Sequence, residues 1–276
     1  MHRPTRWIEN FVTTDPNHRL LTIDIGNTNI MLGLFAGEEL GPHWRIATDH
    51  NRMPDEFAMQ LLNLLAYARI RLEQIAGVAI ASGVPVLTSR WTDVCRRYLQ
   101  HEPVIVSADM QTGLQILYDN PHAVGADRVV DAVAAFHRFG GPLCIVDFGT
   151  ATTFEAVTAK GEYLGGAIAP GIGIAADALA ERAAKLPKVD IARPPSVIGR
   201  NTVHSMQSGL LYGYVGLVEG MVARFKAELG AQTTVVGTGG LAPLIAAETT
   251  VIDHIEPWLT LDGLRIIYEL NWREER

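Results

Sequence analysis

Leu21-Thr22-Ile23-Asp24-Ile25-Gly26-Asn27-Thr28-Asn29-Ile30-Met31-Leu32-Gly33-Leu34-Phe35 consists of two apolar runs divided by a polar turn. The first run ends at Asp24 and the second extends from Ile30 to Phe35. Two β-rich runs joined at a Gly-Asn pair predict a hairpin with a tight turn. The turn gathers one carboxylate, one hydroxyl and several backbone N–H groups. That set suits a metal-bound phosphate: the N–H groups and the hydroxyl donate to phosphate oxygens, and the carboxylate holds the cation or its water. An ordinary hairpin whose Asp caps the turn would have the same pattern.

A second copy separates these two readings. Residues 144–157 read Cys-Ile-Val-Asp-Phe-Gly-Thr-Ala-Thr-Thr-Phe-Glu-Ala-Val. An apolar strand again ends in an aspartate, Asp147. Asp-x-Gly again follows, then the hydroxyls of Thr150, Thr152 and Thr153, then another apolar run. The two aspartates lie 123 positions apart, nearly half the chain. That period is too long for a solenoid. It predicts two similar lobes facing each other, each giving one phosphate-binding turn to the cleft between them.

Composition narrows the function classes. The chain has 276 residues and a hydrophobic fraction of 48%, enough for a substantial core. Its net charge of −7 argues against a nucleic-acid binder that works by neutralising phosphates. It does not exclude a small anion bound by a few local donors. The two cysteines, Cys95 and Cys144, show no Cys-x-x-Cys spacing, and the nine histidines show no metal-ligand spacing. Reduced, cytoplasmic usage follows. No apolar run reaches the ~18 residues of a membrane helix. Residues 1–19 lack the apolar core of a signal peptide and are expected to form a polar extension, either frayed or resting on the surface through Trp7 and Phe11.

Along the chain, a third antiparallel strand is expected at 43–48 and a helix from Pro54, with Asp55 and Glu56 in its first turn. A strand at 78–81, a helix at 87–99 and a strand at 104–106 follow. The second half predicts strands at 143–147, 152–158 and 162–168. Helices are then expected at 173–185, 202–229, 240–248 and 261–270, and strands at 233–236 and 250–253. Three antiparallel strands followed by α/β alternation, twice over, give an α/β fold with mixed sheets. Gly140-Gly141-Pro142 marks the boundary. The divisions are thus an extension at 1–19, an N-terminal lobe at 20–140 and a C-terminal lobe at 141–276.

Gly125-Ala126-Asp127-Arg128 opens a helix. A capping Asp and a surface Arg are the bland reading of this tetrad. Beside two phosphate-type turns, Asp127 becomes a candidate to accept a proton from a substrate hydroxyl. Arg128 becomes a candidate to hold a carboxylate or phosphate. Gly165-Gly166, Pro170-Gly171 and Gly173 allow close backbone approach before a helix N-terminus. Gly237 to Ala242 formally matches a dinucleotide pattern, but too little chain follows for such a domain, and a glycine turn flanking an adenine or ribose fits better. Gly209, Gly213, Gly216 and Gly220 line one face of the long helix. They predict close packing against another helix of this chain or, preferably, a symmetry mate.

Taken in order and spacing, these motifs resemble those of the type III pantothenate kinases, within the superfamily of actin, acetate kinase and the sugar kinases. They are Asp24 to Thr28, Gly125 to Arg128, Asp147 to Thr153, Gly165-Gly166 to Pro170-Gly171, and Ile198-Gly199-Arg200-Asn201-Thr202. The resemblance runs from about residue 20 to about residue 267. It implies duplicated actin-like (ribonuclease H-like) lobes, with mixed sheets flanked by helices and the active site in the interlobe cleft. It implies ATP-dependent phosphorylation of pantothenate, a step towards coenzyme A. By position, Asp24, Ile25, Gly26, Asn27, Thr28, Asn29, Ile30 and Met31 would form the first ATP turn, and Thr150 a further ATP contact. Asp127 would be the proton acceptor. Tyr118, Gly125, Ala126, Asp127, Arg128 and Thr202 would bind pantothenate, and Asp147 a monovalent cation, K⁺ or NH₄⁺. The resemblance also implies Mg²⁺ with the ATP, and a homodimer. Glu155, where many such kinases carry Asp, and Ser82-Gly83-Val84-Pro85 depart from the usual pattern. A transcription accessory factor on the same fold would be expected to lack the acidic trio, whereas Asp24, Asp127 and Asp147 are all present. No nucleic-acid or membrane partner is expected, and the location is cytoplasmic.

Overall fold

A computed structural model describes residues 18–271; the expected surface contacts of Trp7 and Phe11 lie outside the described residues. In chain order the elements are β1 (Arg19–Ile25), β2 (Asn29–Ala36), β3 (Glu39–Ala47), α1 (Pro54–Tyr67), β4 (Ile75–Ser82), α2 (Pro85–Val94), β5 (Val104–Ile105), β6 (Gln115–Ile116), α3 (Ala126–Phe139), β7 (Leu143–Phe148), β8 (Ala151–Val157), β9 (Glu162–Pro170), α4 (Ile172–Arg182), α5 (Thr202–Leu229), β10 (Thr234–Thr238), α6 (Ala242–Ala246), β11 (His254–Ile255) and α7 (Leu259–Asn271). They form two compact units. Among the described residues, one contains 18–113, Asp119–Ala134 and 260–271; the other contains Leu114–Tyr118 and Ala135–Leu259.

The first unit is built on a five-stranded sheet in the order β3-β2-β1-β4-β5. β1 runs antiparallel to β2 and parallel to β4. Period-2 alternation sorts β1 into two faces. Leu21, Ile23 and Ile25 are fully buried against α1 and α2, in a core with Phe57, Leu61, Leu65, Leu87 and Trp91. α1 starts where the sequence predicts: Pro54 opens it and the Glu56 carboxylate accepts the Met53 N–H at 2.8 Å. The opposite face of the sheet is covered by α7. A Cβ on Gly33 would lie 2.8 Å from Leu261, and one on Gly77 would collide with Tyr268. Glycine inside these two strands is what lets the helix settle on the sheet. The buried Arg265 lies 5.7 Å over the Phe35 ring and pairs with Glu269. α7 in turn grips α3: a Cβ on Gly263 would strike the Val130 carbonyl, and Thr260 Oγ1 donates to Asp131 Oδ1 at 2.7 Å.

The second unit repeats the antiparallel trio as β7-β8-β9, inside a six-stranded sheet ordered β11-β10-β7-β8-β9-β6. β10 lies parallel to β7, and β6 parallel to β9. One face packs Cys144, Val146, Phe148 and Phe154 against Leu210, Leu211, Val215, Val218 and Val222 of α5, with Ile172 of α4 and Ile245 of α6. Both cysteines are buried and unpaired, and burial pushes each thiol up to about 12.

Most expected elements appear within two or three residues of their predicted ends, α5 at its predicted bounds. Three differ. The helix at 87–99 is α-helical only to Val94 and closes in a π-type turn over Cys95–Leu99, ending at the left-handed Gln100. The strand expected at 250–253 falls instead at His254–Ile255, because Asp253 uses its own carboxylate to accept the Val235 N–H at 2.8 Å while its N–H donates to the Val235 carbonyl. β6, only two residues long, has no sequence signal. On α5, a Cβ at Gly209, Gly213 or Gly216 would meet nothing within 4 Å. So, among the described residues, no other helix of this chain packs on that face. No helix of the described residues is long and apolar enough to cross a membrane.

Candidate active site

Each unit carries one Asp-x-Gly turn between the first two strands of its antiparallel trio. In the first, Asp24 is the next-to-last residue of β1, half-buried, and residues 27–29 are exposed. The turn closes on itself through Gly26 N–H to Asn29 O, 3.0 Å. Neighbouring elements hold it from outside the hairpin. The Gly83 N–H, just after β4, donates to Ile25 O at 3.1 Å, and the Thr48 N–H, just after β3, donates to Thr28 O at 3.0 Å. Thr48 Oγ1 adds a bond to Gly26 O at 2.7 Å. Of the expected ATP residues, Asp24 and Ile25 close β1, Gly26, Asn27 and Thr28 make the turn, and Asn29, Ile30 and Met31 open β2.

In the second turn Asp147 is also next-to-last in its strand and half-buried, with Gly149 and Thr150 exposed. Gly149 N–H closes on Ala151 O at 3.1 Å, and the Gly171 N–H, just after β9, donates to Thr150 O at 3.1 Å. Glycines crowd the Asp147 carboxylate. A Cβ on Gly149 would lie 3.0 Å from Oδ2, and one on Gly239 would strike Oδ1 and the Phe148 backbone. Gly239 also has φ +89°, which glycine alone adopts freely. The glycine turn after β10, expected near a flat ligand group, is therefore packed directly on Asp147. Gly171 is the N-cap of α4 and has no side chain to satisfy the first N–H groups of that helix, which leaves a local positive end beside Thr150.

The remaining predicted residues sit on other elements. Gly125 precedes α3, and Ala126, Asp127 and Arg128 form its first turn. Asp127 is exposed, and its Oδ1 accepts the Arg128 N–H at 2.9 Å, leaving Oδ2 for another donor. A Cβ on Gly125 would lie 2.5 Å from that Oδ1, so glycine is the residue that leaves the carboxylate room. Tyr118 follows β6, and its ring lies on Gly165, where φ is +115° and a Cβ would come within 2.9 Å of the ring edge. Thr202 is the exposed first residue of α5; the helix is capped by Asn201, whose side chain accepts the His204 N–H at 2.9 Å. Within the first unit the structure thus holds the Asp24 turn and the Asp127 tetrad. Within the second it holds Asp147, Thr150, Tyr118 and Thr202. Glu155, the departure in the second hairpin, is buried and accepts the Tyr163 hydroxyl. Among the described residues no group of three or more His, Cys, Asp or Glu is arranged to hold a metal. A cation here would share single carboxylates with another ligand.

The family model described as type III pantothenate kinase matches residues 20–224. The chain belongs to the type III pantothenate kinase family. The Moorella thermoacetica type III pantothenate kinase is 54% identical over 252 residues, covering 91% of this chain and 99% of that protein. The Roseiflexus sp. strain RS-1 protein of the same name is 56% identical, with the same coverage. The resemblance read from the five motifs is thereby borne out. Solved structures carry the fold further. Component A of (R)-2-hydroxyglutaryl-CoA dehydratase from Acidaminococcus fermentans matches with a TM-score of 0.52 at 15% identity, covering 93% of this chain and 98% of that one. The ethanolamine utilization protein EutJ from Carboxydothermus hydrogenoformans matches at 0.51 and 14%, covering 90% and 89%. The expected actin-like α/β architecture, with mixed sheets flanked by helices, is the one this family member has.

Sequence reasoning missed the residues that hold the site in place. Thr48 and the Asp131–Thr260 bond, one turn of α3 after Asp127, carry no motif, whereas Gly165, on which the Tyr118 ring lies, belongs to a glycine stretch the sequence does single out. Only the glycines gave a signal, since a glycine within a strand marks a close approach.

Proposed function

We propose that this protein transfers the γ-phosphoryl group of ATP to the primary hydroxyl of pantothenate, the first committed step towards coenzyme A. The observation that carries the reading is its identity of more than half, over nearly the full length of relatives named type III pantothenate kinase.

Asp24 to Met31 and Thr150 are the proposed ATP contacts, with exposed N–H and hydroxyl donors in both turns supporting the assignment. Arg128, Gly125, Ala126, Tyr118 and Thr202 are the proposed pantothenate contacts. Arg128 offers a guanidinium to the substrate carboxylate. Asp127 is the proposed proton acceptor, and its second oxygen is the one left available by the Arg128 N–H. In the reaction the pantothenate hydroxyl oxygen bonds to the γ-phosphorus, the bond to the β–γ bridging oxygen breaks, ADP leaves, and the hydroxyl proton passes to Asp127. Such transfers have loose transition states, so positioning and charge stabilisation supply most of the acceleration.

Two cations are part of this reading, each held by a single carboxylate: Mg²⁺ with the nucleotide at Asp24, and K⁺ or NH₄⁺ at Asp147, whose carboxylate lies against Gly149 and Gly239. When bound, they neutralise phosphate charge. A homodimer in the cytoplasm is part of the same reading, supported by the open glycine face of α5. The test is a coupled assay with ATP, Mg²⁺ and pantothenate, with the product weighed by mass spectrometry. ADP formation that requires pantothenate, and a product heavier by one phosphoryl group, are expected. ADP formation indifferent to pantothenate would reject the substrate.

A further inference from the structure

The two hairpins differ in what ties them down, and the difference singles out one residue. Strand β3 ends at Ala47 and strand β9 at Pro170. The next residue of each, Thr48 and Gly171, donates its N–H to the carbonyl of a turn threonine, Thr28 in one copy and Thr150 in the other. That backbone bond is common to both. Only the first copy has a side chain at this point, and it makes a second bond, from Thr48 Oγ1 to Gly26 O at 2.7 Å.

The consequence follows from peptide geometry. A trans peptide carries its carbonyl and the next N–H on opposite edges of one plane. Fixing the Gly26 carbonyl fixes the direction of the Asn27 N–H, and fixing the Thr28 carbonyl fixes that of Asn29. The Gly83 N–H on Ile25 O locks the peptide before them. Asn27 lies at the exposed tip of the turn. Its N–H direction is therefore set from behind, by a half-buried hydroxyl that lies outside the hairpin.

We propose that Thr48 is a positioning residue for phosphate binding. It acts through the Gly26–Asn27 peptide and presents the Asn27 N–H to the nucleotide. The proposal rests on the kinase reading above. In the second copy a side chain at this point has no room, since a Cβ on Gly171 would strike the Thr150 and Gly149 carbonyls. There the closer chain holds the turn with backbone alone.

The experiment compares Thr48→Val, which keeps the shape and loses the donor, with Thr48→Ser, which keeps the donor. Thr48→Ala is a second donor-free variant should the valine protein fail to fold. Loss of one such hydrogen bond is expected to raise KM for ATP about five- to tenfold in the donor-free variants, with KM for pantothenate unchanged and the serine variant close to wild type. A merely structural threonine would lower thermal stability and leave KM for ATP where it was. An active wild type with unmoved ATP KM in the valine and alanine proteins overturns the latch alone. A serine variant as impaired as the valine one does the same. A wild type without ATP-dependent turnover overturns the kinase reading, and the latch with it.

Discussion

The hairpin that carries Asp24 and the hairpin that carries Asp147 share a plan and differ in their fastening. In both, the aspartate is next-to-last in its strand, a glycine follows two positions later, and the N–H beyond the third strand bonds back to a turn threonine. Yet Asp24 lies opposite Met31, whereas Asp147 lies opposite Thr153, so the second turn is one residue tighter. The looser turn is braced by the Thr48 side chain. The tighter one is braced by glycines at 171 and 239, which bring backbone into contact where a side chain would not fit. The comparison teaches that a duplicated Asp-x-Gly turn can keep its backbone bonds while exchanging a side-chain brace for close packing.

The largest expected effect lies outside both hairpins and so calibrates the rest. Asp127→Asn should lower kcat about 10²-fold or more, the usual result of removing a general base, with the thermal transition nearly unchanged. Near-normal turnover would remove Asp127 from the chemistry. Next is Gly171→Ala, which forces a methyl group against two turn carbonyls. Overpacking of this kind costs about 1–3 kcal/mol, so kcat/KM for ATP should fall roughly 10- to 100-fold, more than for any Thr48 variant. An equal or smaller effect would mean that the second turn is not held by close packing.

Asp147→Asn should cost roughly tenfold in rate and abolish the preference for potassium or ammonium over sodium, whereas Asp24→Asn should leave that preference intact. Assays in the three chlorides separate the two aspartates, and a wild type fully active in sodium alone would break the distinction. A stability effect comes next: Thr260→Val, which leaves the Asp131 carboxylate without its 2.7 Å donor, should cost about 1.5–3 kcal/mol in denaturant unfolding. The smallest effect is an expected silence. With both thiols pushed up to about 12 by burial, neither is appreciably ionised at pH 8, so Cys95 and Cys144 should resist a thiol reagent until the protein is unfolded.

Much of this was legible in the sequence because it is local. The repeated Asp-x-Gly between apolar runs gives both hairpins, helical periodicity gives α1 and α5, and the motif order gives the family. What escaped is long-range. Nothing near residue 260 announces that Leu261, Arg265 and Tyr268 pack on the first sheet, although Gly33 and Gly77 are the clearings they occupy. Asp253 displaced a predicted strand by imitating a backbone acceptor with its carboxylate, which periodicity cannot foresee. Thr48 is an ordinary residue at a strand end until its hydroxyl is seen on the Gly26 carbonyl.

The central proposal is that both of the differently fastened turns take part in nucleotide binding. Calorimetric titration of Mg²⁺-nucleotide into the wild type, Asp24→Asn and Asp147→Asn, in potassium buffer, tests it most directly. The account predicts one nucleotide per chain, with affinity falling about tenfold in each variant. Two nucleotides per chain, or wild-type affinity in either variant, would contradict it.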